Sequence, residues 1–313
     1  MSSLRQILLK SIPMLIALTA AACGATPPAA TPAPEKPTAT PTLEVEQRPS
    51  LPTPGKQGVM DVGGPKLSYQ CFGEGAPAVI VEAAAGDKPT QSLSWNAVIL
   101  GVIPTTRICI YDRMPVNTSQ EAAENLHILL SKIPVPGPYI LVAHSLGGWY
   151  ARVYAHLYPQ ELAGMVLVDT TPTYPDSTIL IATAYPTYSP DEAAGITQNR
   201  LPAADINTIM LPSFDGLDMQ TSNQQVRQAG SFGDIPLVVI CHTPGPNEMS
   251  PGLDPLSQKQ IAALIFKVEA NLAGLSTRGV FKVAATSHHF ISLYQPQIII
   301  DAITRMVQEI RNQ

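Results

Sequence analysis

The sequence predicts an α/β fold: a mostly parallel sheet covered by helices on both faces. Three observations carry this expectation. Short continuous apolar runs recur along the chain, as strands buried on both faces require. Amphipathic helical stripes lie between them. The two kinds of segment alternate, which is the pattern of βα units joined by crossovers.

The elements follow in order. Residues 66–72 (KLSYQCF) alternate like a half-exposed strand. The buried runs are AVIVE at 78–82, RICIY at 107–111, YILVA at 139–143, GMVLV at 164–168, PLVVIC at 236–241 and GVFKVA at 279–284. A helix over 121–132 places Ala122, Leu126, Leu129 and Leu130 on one stripe, and Thr118-Ser119-Gln120-Glu121 forms its capping box. Further helices are expected over 146–157, 259–272 and 297–310. Residues 171–233 break the rhythm: the stretch is polar, has several prolines and lacks a buried-strand run. A long insertion between two central strands is expected to cap the site.

The first 58 residues have another character. Residues 1–23 have a basic start (Arg5, Lys10), an apolar run from Ile12 to Ala22 and small residues at its end, the form of a signal peptide. Cys23 follows Ala20-Ala21-Ala22 and precedes Gly24. Residues 24–58 are rich in Pro, Thr and Ala and read as an extended, disordered linker. The body over 59–313 is long enough to bury one sizeable core.

Hydrophobic residues make up 45% of the chain and charged residues 14%, a globular composition. The net charge of −5 argues against non-specific nucleic-acid binding, which needs a basic face. The four cysteines, Cys23, Cys71, Cys109 and Cys241, form no C-x-x-C pair, so neither a zinc nor a redox site is expected. The last three are expected as buried thiols, with a Cys71–Cys109 disulfide as the alternative in an exported protein.

The sharpest motif is Ala143-His144-Ser145-Leu146-Gly147. It stands between a buried strand and a helix. A hydroxyl there stands clear of the sheet edge, and its neighbours two before and two after must be small because the backbone turns sharply. The helix start aims free N–H groups at a reacting carbonyl, so the Leu146 N–H is an oxyanion donor candidate. A neutral serine needs a base. His127 and His156 fall on helices, His144 lies inside the turn, and His242 ends a strand. His288 and His289 follow the last strand, the loop from which an α/β-hydrolase takes its base. The chain order Ser…acid…His leaves Asp169 at a strand end, with Glu248 and then Asp254 as alternatives. Asp112, beside Arg113, precedes the turn and reads as structural.

From about Leu67 onward the chain resembles a bacterial α/β-hydrolase family. The matching pieces are YQCFGEG from Tyr69, VEAAAG from Val81, YDR from Tyr111, GPYILVAHSLGG from Gly137 and VLVD from Val166, then SHHFI from Ser287 and QP from Gln295. The resemblance spans nearly all of the body except the cap. The family's tail motif, Ser-Gly-His-Phe, aligns His289 with the base and puts His288 at the glycine. The family's Glu-Ala-Gly-x-Gly assigns the second oxyanion N–H to Ala85. Two departures stand out: Ala84 replaces a glycine, and the loop 114–118 is shorter. The end of the leader resembles a bacterial lipobox, with Ala20 where Leu is usual.

The expectation is therefore a serine hydrolase acting on a carboxylic ester or an amide. Its residues are Ser145, His289 and Asp169 (or Glu248), with Leu146 and Ala85 as oxyanion donors. No metal or other cofactor is implied. The partners are a small ester or acyl substrate and, through a lipid on Cys23, the outer side of a bacterial cytoplasmic membrane; plain secretion is the other outcome. An inactive binding or sensing protein of the same fold and an acyltransferase are the rival readings.

Overall fold

The structure is a computed structural model that describes residues 50–171, 173, 216–243, 263 and 266–313. It falls into two units, Met1–Leu43 and Glu44–Gln313, and everything described belongs to the second. Cys23, the leader, Glu248 and Asp254 lie outside the described residues, as does most of the expected cap.

The strands are β1 (Lys56–Asp61), β2 (Lys66–Phe72), β3 (Val79–Glu82), β4 (Ile108–Tyr111), β5 (Tyr139–His144), β6 (Leu162–Val168), β7 (Leu237–His242) and β8 (Gly279–Ala284). Among the described residues, the α-helices described from end to end are α1 (Asn96–Val102), α2 (Ser119–Lys132), α3 (Gly147–Leu157), α4 (Met219–Gln228), α5 (Ile291–Tyr294) and α6 (Pro296–Arg311). The eight strands form one sheet in the order β1-β2-β4-β3-β5-β6-β7-β8. The β1–β2 and β2–β4 pairs are antiparallel; every other pair is parallel.

Alternation along the central strands builds two cores. Ile80, Leu141, Ala143, Met165, Leu167 and Val239 face a cluster with Leu126 and Leu129 of α2 and Trp149 and Tyr154 of α3. Val79, Val81, Ile140, Val142, Val166 and Ile240 face the other, with Val98 and Ile99 of α1 and Ile299 and Ile303 of α6. Each fully buried aliphatic side chain contributes about 1.5–3 kcal/mol, so these doubly covered strands hold the sheet rigid beneath the loops at its C-terminal edge.

Three expectations need correction. The sheet starts at Lys56 rather than after 58, because Lys56–Asp61 pairs along β2 as an edge strand. The expected insertion 171–233 does not run as one cap to its end. Met219–Gln228 is a helix capped by Asp218, whose side chain accepts from Thr221 N–H at 3.1 Å. It joins the α2–α3 layer: Ser119 N–H donates to Ser222 Oγ at 3.0 Å, and Gln120 N–H to Gln225 Oε1 at 3.0 Å. Finally, Cys71 and Cys109 are not free thiols. They stand opposite each other in the β2–β4 register and form a disulfide, while Cys241 remains a buried free thiol.

Candidate active site

Ser145 sits between the end of β5 and the start of α3 with φ 54°. Left-handed backbone at a non-glycine residue costs on the order of 1–3 kcal/mol and persists where surrounding contacts over-determine it. Here they do. Ser145 N–H donates to Val168 O at 3.2 Å, and Ser145 O accepts from Gly148 N–H and Thr171 N–H, each at 3.0 Å. The need for small neighbours is steric. A Cβ on Gly147 would stand 2.4 Å from Glu82 O, and one on Gly148 2.3 Å from Thr170 Cγ2.

The β5–β6 and β6–β7 registers carry the strand ends to one level. Asp169 leaves β6 with φ 45°, held by its N–H donating to Ile240 O at 2.6 Å. His289 arrives on the loop after β8. Its Nε2 lies 3.0 Å from Ser145 Oγ, and its Nδ1 lies 2.6 Å from Asp169 Oδ2. A carboxylate only accepts, so Nδ1 carries the proton and Nε2 can accept from the serine hydroxyl. The structure thus brings Ser145, His289 and Asp169 into one hydrogen-bonded chain. His288 is turned away, its ring 5.3 Å edge-on from Tyr294.

Asp169 is buried, 6% exposed. Burial pushes its carboxyl up, but hydrogen bonds from His242 and His289 outweigh this and hold it well below the usual carboxylate range. His242 ends β7. Its Nδ1 lies 2.7 Å from Asp169 Oδ1, and its backbone N–H donates to the same oxygen at 3.0 Å. Behind Asp169 stand two more titratable groups. Glu269, in the helical stretch 266–271, is 1% exposed and its carboxyl is pushed well up by burial and by Asp169. The Cys241 thiol is pushed up by burial, then by Glu269 and Asp169. Asp169, Cys241 and His242 offer ligand atoms within 4.8 Å of one another. Within this group His242 Nδ1 and Asp169 Oδ1 are hydrogen-bonded to each other at 2.7 Å, and the Cys241 thiol donates to His242 O at 3.0 Å.

His144 packs against His289. Burial, then the neighbouring His289, push its imidazole down to about 3, so it is neutral at ordinary pH. Its Nε2 lies 2.9 Å from His289 O and its ring 4.7 Å from the His289 ring.

The loop that carries Ala84 and Ala85 leaves β3 beside the turn, since Glu82 pairs in register with Ala143. Arg113 anchors it. Its guanidinium donates to Glu82 Oε1, to Ala83 O at 3.1 Å and to Ala84 O at 3.1 Å, and lies 4.4 Å over the Tyr150 ring. Tyr111 OH donates to the other Glu82 oxygen. A trans peptide points its C=O and N–H in opposite directions. The Ala84 carbonyl faces buried Arg113, so the Ala85 N–H of the same peptide faces away from it. Leu146 N–H lies at the N-terminus of α3.

Sequence reasoning missed the roles of His242, Glu269 and Arg113. His242 was legible in principle, because β7 pairs with β6 and its last residue must stand beside the residue that follows Val168. Glu269 carried no signal: it lies on an amphipathic segment at an ordinary position.

Together these features define a class: the chain has the α/β-hydrolase fold. Residues 106–228 match the family described as alpha/beta hydrolase fold. Two curated relatives match over parts of the chain. One is the "Probable transporter efuK" of Hormonema carpetanum, 31% identical over 136 residues, which are 38% of this chain and 19% of that protein. The other is an uncharacterized protein of Schizosaccharomyces pombe, 35% identical over 75 residues, 21% of this chain and 14% of that one. The chain therefore spans a fifth or less of these relatives' lengths. Solved structures match more widely. A thermophilic esterase from Thermogutta terrifontis has a TM-score of 0.51 at 17% identity, over 82% of this chain and 99% of that one. A haloalkane dehalogenase variant from Bradyrhizobium elkanii has a TM-score of 0.56 at 14% identity, over 82% and 97%. At these identities the likeness is one of fold.

Proposed function

We propose that this protein is a serine hydrolase that cleaves a carboxylic ester, or secondarily an amide, through an acyl-enzyme on Ser145. One observation carries the reading: the continuous chain Ser145 Oγ–His289 Nε2, His289 Nδ1–Asp169 Oδ2 on a left-handed turn. Ser145 Oγ attacks the substrate carbonyl carbon while His289 takes its proton. The carbonyl oxygen gains negative charge, which the N–H groups of Leu146 and Ala85 stabilise; one such donor is worth roughly 3–4 kcal/mol in the transition state. The C–O bond to the leaving alcohol breaks as His289 returns the proton to that oxygen. Water, deprotonated by His289, then attacks the acyl-enzyme and releases the acid and free Ser145. Serine at this position favours acyl chemistry over the alkyl-enzyme route of an aspartate nucleophile.

A fluorophosphonate probe tests the reading. Labelling of the wild type and not of Ser145→Ala supports it; no labelling of folded wild type sinks it. A panel of nitrophenyl esters of rising chain length then defines the acyl preference.

We also propose that the chain is exported and tethered by a lipid on Cys23, with the Pro-rich segment as spacer. The Cys71–Cys109 pair supports export, because disulfides persist in oxidising compartments. Cys23→Ser is expected to move the protein from the membrane to the soluble fraction, and an unchanged distribution refutes the anchor.

A further inference from the structure

Asp169 is held by two histidines, and the mechanism above uses one of them. We propose that His242 is a positioning residue, which clasps Asp169 from the side opposite His289 and fixes both the rotamer and the ionised state of the triad acid. The inference rests on the serine-hydrolase reading and deepens it.

The geometry divides the carboxylate in two. Oδ1 takes two donors from His242, the ring Nδ1 at 2.7 Å and the backbone N–H at 3.0 Å. Oδ2 is left to His289 Nδ1 at 2.6 Å. With Oδ1 pinned by two donors, the carboxylate cannot rotate about its own bond without breaking both, so Oδ2 stays aimed at the base. Because ionised Asp169 only accepts, the clasp also assigns the His242 proton to Nδ1.

Charge acts on Asp169 separately from its rotamer. A buried carboxylate needs charge-assisted donors to stay ionised. Asp169 packs against groups on four other elements. Cys241 on β7 is a thiol pushed up by burial and by the acids beside it. Glu269, on 266–271, is pushed up by burial and is itself an acid. His144 on β5 is pushed down to about 3, and so is neutral. None of these three supplies positive charge. His242 on β7 and His289 after β8 are the groups whose hydrogen bonds draw the Asp169 carboxyl down. His289 changes charge during turnover as its Nε2 gains and loses a proton, whereas His242 takes no part in that transfer and its bonds to Oδ1 stay constant through the cycle.

The test compares His242→Leu, which removes the ring donor, with His242→Asn, whose amide N–H₂ stands where Nδ1 stands. His242→Gln, whose amide reaches past that position, is a second disruptive variant should Leu fail to fold. Two readouts are taken. The downfield ring N–H proton of His289 in NMR spectra reports its bond to Asp169 without any turnover. The rate of fluorophosphonate labelling, followed from acid to alkaline pH, reports Ser145 activation. With Leu or Gln we expect the proton to move upfield or broaden. The labelling rate should fall roughly 10- to 100-fold, the worth of one hydrogen bond to a charged group. Loss of the donor raises the pH at which Asp169 takes up a proton, but from well below the usual carboxylate range, so the labelling rate should fall across the whole pH profile. Asn should recover most of each change. A His289 proton and a labelling rate both unmoved in Leu and Gln, or Asn behaving as Leu does, would overturn the clasp. Failure of the wild type to label overturns the hydrolase reading instead, while the proton signal still decides the clasp.

Discussion

Asp169 Oδ2 lies 2.6 Å from His289 Nδ1 across 120 residues of sequence, from the end of the strand next to the nucleophile's own. Asp169 therefore needs no long loop to reach His289, while Glu248 lies outside the described residues. Asp169→Asn keeps the shape, but the amide can offer N–H where the base needs an acceptor. We expect a fall in kcat of roughly 10³–10⁴-fold, against about twofold or less for Glu248→Gln. Ester turnover by the purified body checks both, and equal losses would refute the assignment.

The two tail histidines separate cleanly. His289 contacts both Ser145 and Asp169, whereas His288 packs edge-on against Tyr294. His289→Ala is expected to abolish turnover to the level left by Ser145→Ala, since members of such a unit are not additive. His288→Ala should leave kcat within about threefold. Steady-state kinetics on one nitrophenyl ester distinguishes them.

Much of this was legible because the chemistry is local. The turn needs small residues at 143 and 147, and the reason is visible in the 2.4 Å that would separate a Gly147 Cβ from Glu82 O. The buried strands were legible as continuous apolar runs. The elements that were not legible lack that signature. Strand β1 alternates between half-buried and exposed positions along the sheet edge, so Lys56-Gln57-Gly58 reads as the end of the linker and Val59-Met60-Asp61 carries no buried-strand signature. Helix α4 has four buried residues in a polar sequence, and its place is set by Ser222 and Gln225 bonding to α2. The clasp around Asp169 joins β6, β7 and the loop after β8, so it exists only once the sheet order is known.

Arg113, which the sequence marks only as the neighbour of Asp112, reaches the site. It grips the Ala83 and Ala84 carbonyls and so sets the peptide that carries the Ala85 N–H. Arg113→Lys keeps the charge but loses the fork that reaches both carbonyls and Glu82. Misplacing one oxyanion donor is expected to lower kcat by up to about 10²-fold with little change in KM. A fall in KM-linked binding with kcat intact would count against the oxyanion role.

The Cys71–Cys109 disulfide closes a loop of 38 residues and ties the antiparallel edge pair to the parallel body. In the chain-entropy treatment such a closure stabilises by about 4 kcal/mol. Cys71→Ala with Cys109→Ala should lower the unfolding midpoint markedly while leaving the Ser145 labelling rate nearly unchanged, because the bridge lies two strands from β5. Thermal unfolding with and without reductant measures the same difference on the wild type.

His144 gives a pH dependence whose sign can be worked out. Burial lowers its folded pKa from the ordinary 6.5 to about 3. The unfolded chain therefore binds the extra proton first as pH falls. Stability is fully present above about 6.5 and is lost progressively between that value and about 3, by at most on the order of 5 kcal/mol. Glu269 acts the other way. Its folded pKa is raised well above the ordinary 4.5, so it favours the folded state more as pH falls toward 4.5. The wild-type curve over that window is a balance of the two, and the variants separate them. His144→Gln removes the titrating ring, and denaturant unfolding across this range should show a flatter acid side than the wild type. Glu269→Gln should instead steepen it, because the opposing acid is gone and the His144 loss is left alone. Parallel curves for His144→Gln and the wild type would mean that His144 is not held neutral by burial, and the ring packed against His289 would then have to be a charged one.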